Sequence, residues 1–132
     1  MEKFTVHSSD HTSIVDITHQ VQSIVTESGI KNGVCYVFIP HTTACVTINE
    51  NADPDVKSDI LMEINKVIPL NNSYRHMEGN SAAHIKASLF GNSETIFISD
   101  SRLQLGTWQG VFFCEFDGPR TRQVWVNLLK SE

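Results

Sequence analysis

Apolar residues recur along this chain with two different periods, which predict a mixture of strands and helices. Phe4 and Val6 alternate with polar neighbours and predict a first strand, and the apolar runs 34–39 and 44–48 predict the next two, with Pro40 ending the earlier run. Further strands are predicted at 95–98, 109–116 and 123–129. Strands should therefore outnumber helices.

Two segments repeat apolar residues at helical spacing, and a third, shorter one follows them. Asp16 is placed to cap the first helix and Gly29 to end it, while Asp53 caps the second, with Pro54 at its first position. A short helical stretch containing His84 ends at Gly91. The apolar faces of the two longer helices are Ile17, Val21, Ile24 and Val25, and Val56, Ile60, Ile64 and Val67.

The chain contains no repeat, low-complexity tract or flexible linker, so one domain should span residues 1–132. Strands 34–39 and 44–48 are expected to form a hairpin across the loop 41–43. Short loops between the late strands favour antiparallel pairing. We therefore expect an α+β fold with a mostly antiparallel, β-sandwich-like core and two or three helices. Such strands can leave an apolar sheet face uncovered, which favours self-association.

Composition excludes several classes of function. The net charge is −5, and the ten Lys and Arg residues are dispersed, so no nucleic acid partner is expected. No secretory signal or apolar run long enough to span a bilayer is present, so we expect a cytoplasmic protein with no membrane contact. Cys35, Cys45 and Cys114 lie in apolar contexts and should be reduced core thiols.

The segment 76–86 concentrates groups that move protons, bind metals or hold anions. His76, Glu78 and His84 are our candidate catalytic residues. If His41 converges with His76 and His84, the three imidazoles form the usual catalytic zinc arrangement. The alternative is that these are hydrogen-bonded histidines without a metal.

The same segment could hold an anion. Gly79, Asn80 and Ser81 precede a helix whose first backbone N–H groups suit a phosphate or carboxylate, and Lys86 would add a positive charge. An ordinary capped helix is the commoner outcome for such a pattern.

Motifs on either side of the strand 109–116 supply further candidates. Arg120 could clamp a phosphate, or it could pair with Asp117 or Glu115. Trp108 and the adjacent Gln109 are candidate substrate contacts, although Trp108 could equally be a core residue.

The polar run 49–55 follows an apolar strand directly. Glu50 and Asp55 could be acid–base groups or partners of a histidine, whereas Asp53 already has a sufficient role as a helix cap. A solvated loop is the competing interpretation.

Five motifs follow one another along the chain: PHTTA at 40–44, NENADP at 49–54, HMEGNSAAHIK at 76–86, LGTWQ at 105–109 and EFDGPR at 115–120. Together, and in this order, they resemble the YjbQ family. The resemblance covers nearly the whole chain. It departs at residues 100–103 (Asp-Ser-Arg-Leu), where the family is expected to carry a glycine.

The resemblance implies a compact α+β subunit, a homotrimer and a secondary thiamine-phosphate synthase activity. That activity is a transferase reaction, which joins hydroxymethylpyrimidine diphosphate to thiazole phosphate and releases pyrophosphate. The ligand would be a small phosphorylated metabolite, and a divalent metal such as zinc or magnesium is a candidate cofactor. The competing hypotheses are a trimer that binds a metal or a phosphorylated metabolite without turnover, and a trimer whose motifs serve only interfaces and turns.

Overall fold

The structure, a computed structural model, describes residues 1–131 and contains eight strands and three helices. The strands are β1 (Glu2–His7), β2 (Ser13–Asp16), β3 (Gly33–Phe38), β4 (Ala44–Glu50), β5 (Ser93–Ser99), β6 (Arg102–Leu103), β7 (Gln109–Glu115) and β8 (Thr121–Lys130). The helices are α1 (Thr18–Ser28), α2 (Pro54–Val67) and α3 (Ser81–Phe90). The predicted α+β class is confirmed.

The strands form two sheets in which every pairing is antiparallel. The larger sheet has the order β1-β8-β3-β5-β6, and the smaller has the order β2-β7-β4. The predicted hairpin between β3 and β4 is wrong, because these strands belong to different sheets. Pro40 lacks an N–H for the ladder, and the segment 39–43 carries the chain from one sheet to the other.

A first apolar core lies between the two sheets and beneath α1. A second apolar core is formed where the smaller sheet packs against α2 and α3. The central strand β7 contributes to both, with Val111 and Phe113 in the first core and Cys114 in the second. This double burial explains its nearly continuous apolar sequence. All three cysteines are free and buried, as predicted, and Cys45 lies directly opposite Cys114 in the ladder.

The helix ends follow the predicted signals closely. Asp53 accepts a hydrogen bond from the Asp55 amide at the start of α2, and Gly29 ends α1 with a φ of 72°. Asp16 accepts from the Thr18 amide, one position before the cap of α1. The short strands β2 and β6 were not predicted, because neither is long enough to show a period.

The outer face of the larger sheet remains open. Apolar side chains alternate with buried ones along its strands, and four of them, Tyr36, Phe38, Phe97 and Leu129, are 38–69% exposed. The described residues include no helix long and apolar enough to cross a membrane. A cytoplasmic location stays a prediction.

Candidate functional site

Three of the predicted site histidines line one cavity, which we call the histidine pocket. Its volume is about 550 Å³, and its walls include His41, His76, Glu78, Asn80, His84 and Arg120. The walls come from the segment after β3, the loop before α3, α3 itself and the segment before β8. Residues far apart in the sequence therefore meet where the two sheets and α3 come together.

His76 and His84 form an edge-to-face pair on one wall. Their ring centroids are 5.4 Å apart and the ring planes meet at 87°. His84 is held by the first turns of α3, whereas His76 is exposed on the preceding loop. Gly79, with a φ of 79°, turns the chain between that loop and the helix.

His41 makes a different kind of contact. Its Nε2 atom accepts a hydrogen bond of 2.9 Å from the backbone N–H of Gln123. Burial, followed by the positive charge of Arg122, lowers the pKa of this imidazole below its ordinary value of 6.5. The lone pair that a metal would need at Nε2 is already in use.

The predicted three-histidine metal centre does not fit this arrangement. No group of three His, Cys, Asp or Glu side chains among residues 1–131 is placed to hold a metal ion. His41 also lacks a free lone pair at Nε2. Zinc or magnesium binding without His41 as a ligand stays a prediction, and the function proposed for this chain requires no metal.

A buried ion pair lies beside the pocket and contacts one of its walls. Glu115 and Arg122 are 0% and 4% exposed, and they make two side-chain hydrogen bonds, of 2.9 Å and 2.5 Å. The Arg122 Nη2 atom also donates to Thr43 Oγ1, two residues after His41. Ser8 donates to Glu115 from the start of the chain.

This pair is not among the predicted features, although the sequence carries one signal for it. Arg122 alternates with Val124 and Val126, both of which face the core. A charged residue in register with inward-facing valines indicates a buried ion pair or a site.

Arg120 forms the ion pair that was the alternative to an anion clamp. Its Nη2 atom lies 2.9 Å from Asp117 Oδ2, and the same oxygen accepts from Asn80 Nδ2 at 2.9 Å. Asp117 thereby ties the turn before β8 to the start of α3. Because the Arg120 side chain is 52% exposed and lines the pocket, it remains available to an anion.

Lys86 is not an anion holder of this pocket. Its side chain is only 4% exposed and lies between α2 and α3, where Nζ donates to Asn65 Oδ1 at 2.6 Å. Lys86 falls on the buried face of α3, together with Ala82, Ala83 and Ala87, because these positions repeat at helical spacing. Burial lowers the pKa of its amine.

The other two positions of the predicted amide cluster lie beside the pocket. Ser81 lines an adjoining cleft together with His76 and His84. Gly79 lines none of the described cavities and serves as the turn before α3.

Trp108 and Gln109 lie away from the histidine pocket. Gln109 begins β7 and Glu115 ends it, so the two ends are about 20 Å apart at the usual rise per residue. Gln109 Oε1 accepts from the Gly106 amide, and the Trp108 carbonyl accepts from the Asn51 amide. The Gln109 side chain therefore has a structural role in the turn, whereas the Trp108 side chain is 62% exposed, so its interpretation as a core residue is wrong.

Glu50 and Asp55 share that distant end with Trp108. Glu50 is paired with Gln109 in the ladder, and Asp55 lies in the first turn of α2. Neither carboxylate lines the histidine pocket. The competing interpretation of this run as a loop and helix start is therefore the one that the structure favours.

Comparison with known proteins gives a family and close relatives. A sequence model of the family described as UPF0047 protein YjbQ-like matches residues 2–131. The chain is 50% identical to UPF0047 protein MJ1081 of Methanocaldococcus jannaschii, over 96% of this chain and 92% of that one. It is 45% identical to UPF0047 protein YugU of Bacillus subtilis, over 98% of each chain.

Solved structures share the fold as well as the sequence. An uncharacterized protein of the same family from Clostridium acetobutylicum is 52% identical with a TM-score of 0.96, over 98% of this chain and 100% of that one. A protein of unknown function from Sulfolobus solfataricus is 35% identical with a TM-score of 0.94, over 98% of this chain and 96% of that one.

The prediction of thiamine-phosphate synthase activity is wrong as an assignment for this chain. The relatives that cover nearly all of it are named only by family, and a solved structure is described as a protein of unknown function. These names neither assign nor exclude catalysis. The resemblance therefore establishes family membership and fold but no reaction.

Proposed function

We propose that this chain, which belongs to the YjbQ-like UPF0047 family, is an enzyme that binds a small phosphorylated metabolite in the histidine pocket. His76 and His84 would exchange protons with the bound molecule. The single observation that carries the proposal is the convergence of three imidazoles, one carboxylate and two guanidinium groups on one cavity. Its volume of about 550 Å³ lies within the usual range for sites that take small molecules.

The anion-binding part of the proposal rests on two groups at the pocket wall. The guanidinium of Arg120 is half exposed, and its planar fork of donors suits phosphate oxygens. The pocket also borders Asn80, the residue before α3, and the N-terminus of a helix carries partial positive charge. A phosphate bound between them would be stabilised by charge and by hydrogen bonds.

The proton-transfer part rests on the His76 and His84 pair. Imidazole is the side chain whose ordinary pKa allows it to give and accept protons near neutral pH. The two rings are 5.4 Å apart, close enough for both to reach neighbouring atoms of one bound molecule. Glu78, which lines the same pocket, would orient one of them through a hydrogen bond.

Binding and turnover can be tested separately. Inorganic phosphate and a panel of phosphorylated metabolites would be titrated by calorimetry, and conversion would be followed by phosphorus NMR. We expect binding and conversion by the parent protein, loss of conversion in His84→Gln, and parental behaviour in His19→Gln, an exposed histidine on α1. Absence of binding by every compound would refute the proposal, and binding without conversion would leave a binding protein only.

We further infer that the chain assembles with itself into a homotrimer through the open face of the larger sheet. Exposed apolar residues on the two strands that flank β3, including Phe97 on β5 and Leu129 on β8, favour burial against another copy. Light scattering should give three times the chain mass for the parent and for Met62→Glu on α2. Phe97→Glu should give a smaller species, and a monomeric parent would refute the inference.

A further inference from the structure

We propose that His41 is a fixed hydrogen-bond donor, held as the neutral Nδ1–H tautomer, which can neither accept a proton nor ligate a metal in this site. The Gln123 backbone N–H can only donate, so the Nε2 atom that it contacts at 2.9 Å must present a lone pair. A neutral imidazole then carries its single proton on Nδ1. A protonated ring would place two N–H groups against each other.

The remaining ring nitrogen is free to act in the pocket. No hydrogen bond within residues 1–131 uses His41 Nδ1, and the ring lines the histidine pocket. An Nδ1–H group binds only acceptors, so the ligand atom opposite His41 must be a hydrogen-bond acceptor, and a phosphate oxygen meets this requirement. This identification of the ligand atom rests on the proposed function, whereas the tautomer does not.

The Glu115 and Arg122 pair positions both His41 and Gln123, the two partners of this hydrogen bond. Arg122 donates to the Thr43 side chain, which fixes the loop that carries His41, and Arg122 precedes Gln123 in β8. The positive charge of Arg122 also disfavours an imidazolium nearby, in line with the lowered pKa of His41. Arg122 and Glu115 are thus positioning residues for this donor.

The division of labour among the histidines follows. His41 supplies a neutral donor that stabilises negative charge without exchanging its proton, since loss of that proton would require an imidazolate. Proton exchange is left to His76 and His84, whose rings make no such backbone contact among the described residues. The pocket therefore separates anion recognition from acid–base chemistry.

The tautomer can be measured directly in the ligand-free protein. The six histidines would be isotope-labelled, and heteronuclear NMR would assign each ring nitrogen as protonated or bearing a lone pair. The His41 signals would be identified by their loss in His41→Gln. We expect Nδ1–H at neutral pH, whereas Nε2–H or the imidazolium would overturn the proposal.

One pair of substitutions at Gln123 sharpens this test. Gln123→Pro removes the locking N–H and should produce a mixture of His41 tautomers, while Gln123→Ala keeps the N–H and should preserve Nδ1–H. An unchanged tautomer in folded Gln123→Pro would show that the amide does not lock the ring. If this variant does not fold, the parent spectrum still decides.

The donor role is tested with inorganic phosphate and with Zn²⁺. Asn places an N–H close to the Nδ1 position, so His41→Asn should bind phosphate within about threefold of the parent, and His41→Gln should bind about tenfold less tightly. Zn²⁺ should leave the His41 nitrogen signals unchanged, and a Zn²⁺-dependent shift there would overturn the proposal. If the tautomer is Nδ1–H but phosphate does not bind, the proposed function is refuted, whereas the proposed His41 tautomer is still supported.

Discussion

Glu115 and Arg122 form a doubly hydrogen-bonded ion pair within the protein, and three separate segments depend on it. Ser8 donates to Glu115 Oε1, the Asp117 amide donates to Oε2, and Arg122 reaches the Thr43 side chain. The pair therefore joins the N-terminal segment, the turn before β8 and the loop that carries His41. Removal of one partner should affect both stability and the pocket.

Arg122→Met should lower the free energy of unfolding by about 3–5 kcal/mol, because it leaves the Glu115 carboxylate buried without its partner. Arg120→Met is the matched control, since the Arg120 side chain is 52% exposed. It should cost at most about 1 kcal/mol. Urea denaturation of both variants measures the difference. Equal losses of unfolding free energy would show that the buried ion pair stabilises the protein no more than the exposed one.

The same pair predicts how stability depends on acid. Burial alone would raise the pKa of the Glu115 carboxyl, but hydrogen bonds from Arg122, Ser8 and the Asp117 amide lower it below its ordinary value of 4.5. As the pH falls below 4.5, the Glu115 carboxylate becomes protonated in the unfolded chain but stays ionised in the folded chain. The contribution to stability is therefore full above this pH and is lost as the pH falls through the lower folded pKa.

Denaturation at a series of acidic pH values would measure this loss. The free energy of unfolding should fall less steeply with decreasing pH in Glu115→Gln than in the parent. The two slopes should differ by at most about 1.4 kcal/mol per pH unit, the limit for one titrating group. Asp16, whose pKa is also lowered, contributes to the slope in both proteins. Parallel pH profiles would contradict the role given to Glu115.

Local signals in the sequence were sufficient for the start of α2 and the end of α1. Asp53 and Pro54 mark the start of α2, and the hydrogen bond from the Asp55 amide forms within that first turn. Such signals act between neighbours in the chain, so the sequence displays them directly. The same holds for Gly29, whose positive φ ends α1.

Strand partners and side-chain directions depended on distant residues and were harder to predict. β3 pairs with β5 and β8 rather than with β4, although β4 follows it after only a short loop. Lys86 resembled an anion holder by its place in the motif, yet the rotation of α3 buries it against Asn65. His41, His76 and His84 line one pocket, whereas their predicted roles in catalysis and metal binding stay predictions.

The turn between β5 and β6 holds two residues in an unfavourable conformation. Asp100 and Ser101 have φ values of 51° and 61°, in the left-handed region, where a Cβ atom is disfavoured. Ser101→Gly should raise the free energy of unfolding by about 1 kcal/mol, because glycine enters this region without that penalty. The family resemblance led us to expect a glycine near this stretch.

Ser93→Gly on β5 provides a control for that gain. Ser93 is exposed in a regular strand, where glycine loses more chain entropy on folding, so this variant should lose about 0.5–1 kcal/mol. Thermal unfolding of the two variants beside the parent would suffice. A Ser101→Gly protein no more stable than the parent would mean that the positive φ of Ser101 has no measurable free-energy cost.

Two cations of the motif region should differ in their effect on anion binding. Lys86 lies between helices and contacts Asn65, whereas Arg120 lines the histidine pocket. Lys86→Met should therefore leave the affinity for inorganic phosphate within about twofold of the parent, and Arg120→Gln should weaken it about tenfold, as expected for the loss of one charge-assisted hydrogen bond. Calorimetric titration at low salt measures both affinities, with circular dichroism to establish that each variant is folded. Equal weakening by the two substitutions would contradict the exclusion of Lys86 from anion binding, and no weakening by Arg120→Gln would remove Arg120 from the site.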